Sequence, residues 1–335
     1  MQNAVFVGFL PWRSHIPRWF PGYQHHFVSR RPVELFLSSS LLRLLFLRPH
    51  VYVWGKKYPA ALRILCKALG LSFYHVEDGF IRSVGLGSLG AAPVSILVDS
   101  RALHFDCHRP SDLEVILETH DFENDQELMA NAEKALSLLR VYNVNKYNLA
   151  GDRTIDVGSL ASERILVVGQ VPGDASLRYG GRRPLCNADL LSTAIADHPQ
   201  ATIYYKPHPA TRIDLQVDEL LSSQACHDVI VLDGDIAAHT AIEACSLVYV
   251  NTSLLGFEAL LRGKPVTCLG APFYAGWGLT NDRMRIDRRR RRLSLMELFA
   301  GSYVAYPRYF NPDDGSPIAI VDAIRLLAGG RASRG

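Results

Sequence analysis

The feature that most constrains this chain is a recurring unit, a short apolar run that ends in a turn-forming or polar residue and is followed by a helical pattern. In the first half the runs are "NAVFVGF", "HVYVWG" and "LSFYHVEDGF", with a Leu-rich stretch and a helix over Ala60 to Leu69 between them. The second half repeats the logic more clearly in "ILVVGQV", "ATIYYKPHP", "DVIVLDG", "LVYVN" and "PVTCLG". Strands that alternate with helices predict βα units around parallel sheets. Between the halves, "LAGDRTIDVGSLASE" is rich in turn formers and predicts a boundary that divides the chain into 1–155 and 156–335. Each part is long enough to bury its own core. In open α/β sheets ligands bind beyond the carboxyl ends of the strands, so a functional site is expected there.

Composition removes several function classes. Lys and Arg number 36 against 33 Asp and Glu, a formal net charge of +3, too balanced for a dedicated nucleic-acid binder. Six cysteines lie scattered without a CxxC pair, which argues against a zinc site or disulfide framework and fits a reducing compartment. The amino terminus lacks a basic segment followed by a long apolar core, so no signal peptide is expected. "LFLSSSLLRLLFL", from Leu35 to Leu47, is interrupted by three serines and Arg43; it is too short and polar to span a bilayer and predicts a buried or interfacial helix. The run "RRRRR" from Arg288 to Arg292 predicts a solvated loop, with attraction to an anionic membrane surface or an acidic acceptor as the functional alternative.

Chemistry-bearing residues cluster at the strand ends. "RILVVGQVPGDASLRYGG" runs from a strand into a Gly- and Pro-bearing turn and sets Asp174 beyond it. "YYKPHPAT" holds Lys206 and His208 between two prolines that restrict the backbone, a cation and an imidazole able to stabilise charge on a departing phosphate. In "VYVNTSLLGFEALLRGK", Thr252 and Ser253 open a helix whose N–H groups suit a phosphate, and Glu258 could accept hydrogen bonds from ribose hydroxyls. An ordinary N-cap with a solvated glutamate is the competing reading. "HVEDGFIRSVGLGS" gathers Glu77, Asp78 and Arg82, offering a carboxylate that can take a proton from a hydroxyl and a guanidinium that can hold a carboxylate; a local ion pair in a Gly-rich loop explains them equally well. Phe273, Tyr274 and Trp277 in "GAPFYAGWGLT" suit either a pocket wall or packing under a loop, and His239 either a functional or a packing role. "DGD" at Asp233 to Asp235 resembles a metal-binding DxD but reads as a turn, with no further acidic ligands at metal spacing.

Two Rossmann-like halves facing a cleft are the GT-B glycosyltransferase plan. Taken in order, "EDGFIRSVGLGS", "RPSDLE", "GQVPGDASLRYGG", "YYKPHP", "NTSLLGFEALLRGKPV", "PFYAGWGLTND", "RRRLSLMEL" and "YPRYFNP" resemble the KpsC-type capsule polysaccharide β-Kdo transferases, from about Trp54 to Pro312. Typical members carry two such modules in tandem, and this chain has room for one. The resemblance implies an α/β, GT-B-like fold, with 1–155 the acceptor-side domain and 156–335 the CMP-sugar-binding domain. It implies a retaining enzyme that moves Kdo from CMP-β-Kdo to a Kdo-bearing, phosphatidylglycerol-type glycolipid acceptor by double displacement. Asp174 is then the nucleophile of a "QxxxDxS" pattern with Gln170 and Ser176. Lys206, His208, Thr252 and Ser253 neutralise the CMP phosphate without a metal, Glu258 holds the ribose, Arg82 or Arg178 meets the Kdo carboxylate, and Glu77 deprotonates the acceptor. No cofactor is expected. A cytoplasmic location at the inner-leaflet surface, with other capsule biosynthesis proteins as partners, follows from the same resemblance. A transferase for another CMP-activated acidic sugar and a non-catalytic capsule assembly component remain as alternatives.

Overall fold

The computed structural model describes residues 1–9, 13–29, 46–56, 58–85, 91–146, 148, 163–209, 211, 214–222, 229–232 and 236–332. Most of the expected helix within 35–47, the connection at 149–162 and the Asp233 to Asp235 turn lie outside these residues.

The apolar runs form two six-stranded sheets. The first contains β1 (Gln2–Val7), β2 (Tyr23–Val28), β3 (His50–Trp54), β4 (Phe73–Asp78), β5 (Ser95–Asp99) and β12 (Arg308–Tyr309), in the order β12-β5-β4-β3-β1-β2. The second contains β6 (Arg164–Val168), β7 (Thr202–Lys206), β8 (Val229–Val231), β9 (Leu247–Val250), β10 (Val266–Cys268) and β11 (Asn281–Asp282), in the order β11-β10-β9-β6-β7-β8. Every pairing in the second sheet is parallel. In the first, β1 to β4 are parallel while β5 and β12 run antiparallel at one edge. Strands such as β6, buried along nearly their whole length, carry continuous apolar runs because helices cover both faces of a parallel sheet.

The helices are α1 (Ile16–Trp19), α2 (Ala60–Ala68), α3 (Asp112–Thr119), α4 (Gln126–Val141), α5 (Ala175–Tyr179), α6 (Asn187–Asp197), α7 (Leu215–Ser222), α8 (Ala238–Ala244), α9 (Leu254–Leu261), α10 (Leu295–Phe299) and α11 (Ile320–Ala332), with a π-helix at Ala300–Ala305 following α10. The chain does not finish in the second unit. β12 pairs with β5 through Arg308 opposite Ile96, and α11 and the π-helix pack on α4 of the first unit. The two units share their largest core, in which Phe80 lies 4.5 Å from Phe273 and 5.3 Å from Tyr303, and Phe257 lies 5.3 Å from Phe273 between ring centroids. The contact of Phe80 with Phe273 joins the two units at the wall of a cleft, and the carboxyl ends of β4, β6, β7 and β9 open onto it.

The arginine run departs from the solvated loop expected of it. Glu114 on α3 accepts hydrogen bonds from both Arg288 and Arg289, and Arg289 is buried, donating also to the carbonyls of Pro272 and Ala275 at 2.6 Å each. Arg291 donates to the His120 carbonyl and lies over Phe122. Arg290 and Arg292 are exposed. The run therefore ties α3 to the loop after β11. Among the described residues no helix is long and apolar enough to cross a membrane.

Candidate active site

The cleft encloses a cavity of about 330 Å³ whose walls come from both units. Of the residues expected from the sequence, Glu77, Gln170, Asp174, Ser176, Lys206, His208, Thr252, Ser253 and Glu258 all line it.

Asp174 is the N-cap residue of α5, yet its side chain does not cap the helix. Its carboxylate accepts a hydrogen bond from the Ser176 hydroxyl at 2.6 Å. The direction of that bond is dictated from further back. The Thr252 backbone N–H can only donate, and it donates to Gln170 Oε1 at 2.9 Å. The Gln170 amide nitrogen must then face Ser176, to which it donates at 3.0 Å. Ser176 accepts there and has one proton left, which goes to Asp174. Gln170 is itself fixed by Asn187, which accepts from the Gln170 N–H at 3.0 Å and donates to the Gln170 carbonyl at 2.7 Å. Gly180, at the end of α5, has no room for a side chain: a Cβ would overlap the Ser176 carbonyl and the Thr252 methyl. The ends of β6 and β9 thus hold one carboxylate in one orientation at the cavity wall.

On the neighbouring strand of the same sheet, Lys206 ends β7 only 6% exposed, and Nζ donates to the Ile236 carbonyl at 2.6 Å. Burial lowers its pKa. Burial also lowers that of His208, with Asp174 pulling it up and Lys146 and Lys206 adding to the depression. Ser253 caps α9 by accepting from the Leu255 N–H at 3.3 Å. Thr252, expected to add a hydroxyl donor for a phosphate, has both its hydroxyl and its N–H against the Gln170 amide, so Thr252 anchors the relay as well as lining the cavity.

Two carboxyls that line the cavity stand well above their usual range. Burial pushes Glu77 up to about 7, with Asp78 and Asp174 adding repulsion while Lys146 and the Asp78 N–H oppose it. Burial likewise raises Glu258, 5% exposed, to about 7 against the pull of Arg262 and of Lys146, whose backbone N–H it accepts. Arg82 does not face the cavity. It is 2% exposed and bound to Asp78 at 2.8 Å, with Ser83 Oγ and the Ala91 carbonyl each at 2.9 Å. Arg82 therefore holds Asp78, a cavity residue, in place. Arg178 is exposed one turn beyond Asp174, 6.0 Å from the Tyr179 ring centroid, and is also not a lining residue. His239 lies on α8 and does not line the cavity, although Ala237 and Ala238 do. Tyr274 and Trp277 are core residues, and of the three loop aromatics Phe273 reaches the cavity.

The cavity also has lining residues that sequence reasoning missed: Phe80, His104, Phe105, Asn145 and Lys146. Burial, with Lys146 adding to it, pushes His104 down to about 3, so it is a neutral imidazole. Among the described residues no group of three or more His, Cys, Asp or Glu is placed to hold a metal ion.

Known proteins share this architecture along nearly the whole chain. The protein is similar to two KpsC structures from Thermosulfurimonas dismutans. One is the beta Kdo 2,4 transferase, 33% identical with a TM-score of 0.79, covering 98% of each chain. The other is the beta Kdo 2,7 transferase, 32% identical with a TM-score of 0.74, covering 98% of this chain and all of that one. Lipopolysaccharide-processing protein LpsZ of Rhizobium meliloti is 35% identical over 97% of this chain and 74% of its own length. Capsule polysaccharide modification protein LipA of Neisseria meningitidis is 39% identical over 83% of this chain, a match that spans only 39% of LipA. Residues 50–309 match the family model described as capsule polysaccharide biosynthesis protein. With that match over most of its length, and with relatives this similar, the chain belongs to the capsule polysaccharide biosynthesis family.

Proposed function

We propose that this protein is a retaining β-Kdo glycosyltransferase that moves Kdo from CMP-β-Kdo to a Kdo-bearing glycolipid acceptor in capsule linker synthesis. The observation that carries the reading is the relay from the Thr252 N–H through Gln170 and Ser176 to Asp174, which presents a fixed carboxylate at the wall of a cleft between two Rossmann-like units. The likeness to two Kdo transferases over essentially the full chain supports the sugar.

In the first displacement an Asp174 oxygen attacks the anomeric carbon of Kdo, the bond from that carbon to the phosphate oxygen breaks, and CMP departs with the electron pair. Lys206, His208 and the start of α9 at Ser253 stabilise the phosphate, and Glu258 holds the ribose. In the second displacement the acceptor hydroxyl attacks the same carbon, its proton passes to Glu77, and the ester to Asp174 breaks. Two inversions give retention. A carboxyl with a pKa of about 7 is matched to that proton transfer near neutral pH. The lipid acceptor brings the protein to the inner leaflet of the membrane, where other capsule biosynthesis proteins also act.

The test is a transfer assay with CMP-β-Kdo and a Kdo-terminated lipid analogue, followed by NMR of the new linkage. Product with the anomeric configuration of the donor is expected. Inverted product would remove the need for a covalent aspartate, and transfer only from another CMP-activated acidic sugar would replace the donor.

A further inference from the structure

Proposed chemistry leaves one charge without a partner. An acidic sugar such as Kdo brings its own carboxylate, attached to the carbon that Asp174 attacks, into a cavity that already holds Glu77, Asp78 and Glu258. The arginines that motif reading offers as its partner do not line this cavity, since Arg82 holds Asp78 and Arg178 lies outside. The lining residues include two lysines, and Lys206 is buried at the end of β7 with its ammonium on the Ile236 carbonyl. Lys146 is the other.

We propose that Lys146 is a substrate-binding residue whose ammonium grips the carboxylate of the donor sugar, so that the site selects an acidic sugar. The inference rests on the transferase reading above and concerns the same cleft. Its backbone is held from both units: the Lys146 carbonyl accepts from the N–H groups of Arg82 and Ser83 at 3.0 and 3.3 Å, and its N–H donates to Glu258. A reciprocal turn follows, in which Asn145 and Asn148 exchange side-chain to backbone hydrogen bonds at 2.7 and 3.0 Å and Asn148 takes a positive φ of 50° while donating to the Ser83 carbonyl. A lysine anchored in this way has a fixed root, and as a lining residue it brings a positive charge to the cavity. The charge reaches four groups that line the cavity. It favours the ionised forms of Glu77 and Glu258 and disfavours protonation of His104 and His208. A positive charge in a carboxylate-lined cleft offsets the repulsion that an incoming sugar carboxylate meets from Asp174.

The test compares wild type, Lys146→Gln and Lys146→Arg for the KM of CMP-β-Kdo, the KM of the acceptor, and the Ki of CMP as a competitive inhibitor. The expected result for Lys146→Gln is a rise in donor KM of roughly 10- to 100-fold, the loss of one charge-assisted hydrogen bond, with the Ki of CMP and the acceptor KM within about twofold of wild type. Lys146→Arg should recover most of the donor KM. Unchanged CMP binding also shows that the variant is folded. A parallel rise in the Ki of CMP would place Lys146 on the phosphate, a rise in acceptor KM alone would place it on the acceptor's carboxylate, and no change in any constant would leave it no ligand; each overturns the proposal. A wild type that binds CMP but never turns over CMP-β-Kdo would instead refute the transferase reading on which the proposal stands.

Discussion

Gln170→Glu is the most informative single change, because it alters one atom of the relay and reverses its logic. The native amide accepts from the Thr252 N–H and donates to Ser176, which leaves the serine proton for Asp174. The new carboxylate can still accept from Thr252 but cannot donate, so it competes with Asp174 for the single Ser176 proton. A hydrogen bond to a charged group is worth about 1.5–3 kcal/mol, which is roughly 10- to 150-fold in the rate of the first displacement. The Thr252 N–H keeps its acceptor, but the new carboxylate is buried one hydroxyl away from Asp174 and the donor to Thr252 Oγ1 is lost, so the melting temperature should fall as well. Gln170→Leu behaves differently. It orphans that N–H at a cost of about 1–3 kcal/mol and should lower the melting temperature by several degrees. CMP release from CMP-β-Kdo, measured beside thermal unfolding, separates the two effects. Near-wild-type turnover in Gln170→Glu would refute the claim that the relay orients the nucleophile.

Three further outcomes follow from the geometry. Because Glu77 must be ionised to accept the acceptor's proton, turnover should rise with pH through about 7, and Glu77→Gln should remove that limb; a pH–rate profile unchanged in the variant would assign the base elsewhere. Folding raises the pKa of Glu77 and Glu258 above the ordinary glutamate value, so the native state binds more protons between about 4.5 and 7 and stability should fall as pH rises through that window; Glu258→Gln should flatten the melting-temperature profile. Glu114→Ala leaves the buried Arg289 without its counter-charge and should destabilise by about 3–5 kcal/mol, whereas Arg290→Ala, at an exposed site, should change stability by less than about 0.5 kcal/mol; equal melting temperatures would contradict the structural role of the arginine run.

The sequence reveals those parts of the fold that depend on local pattern. β6 and β7 are unbroken apolar runs that end in turn formers, and the start of α9 is marked by Thr252 and Ser253, so the strand-end residues were identifiable as a group. β12 is two residues long and acquires its place only by pairing with β5, more than 200 positions earlier, which no local pattern reports. The arginine run reads as solvated because its partner, Glu114, lies on another element, and Thr252 reads as a ligand donor because Gln170 is 82 residues away. Lys146 carries no motif; its position comes from the Asn145 to Asn148 turn and from backbone bonds to both units. Arg82 reads as a partner for a ligand carboxylate, whereas the carboxylate it holds is Asp78, four residues before it.

As the nucleophile of a double displacement, Asp174 must form a covalent bond to the donor sugar. Intact-protein mass spectrometry after incubation with continuously supplied CMP-β-Kdo tests it directly. Wild type should gain the mass of one Kdo residue, and Asp174→Ala should gain none. Release of CMP and formation of glycosylated acceptor by wild type with no adduct at any time, or an adduct that persists in Asp174→Ala, would contradict it.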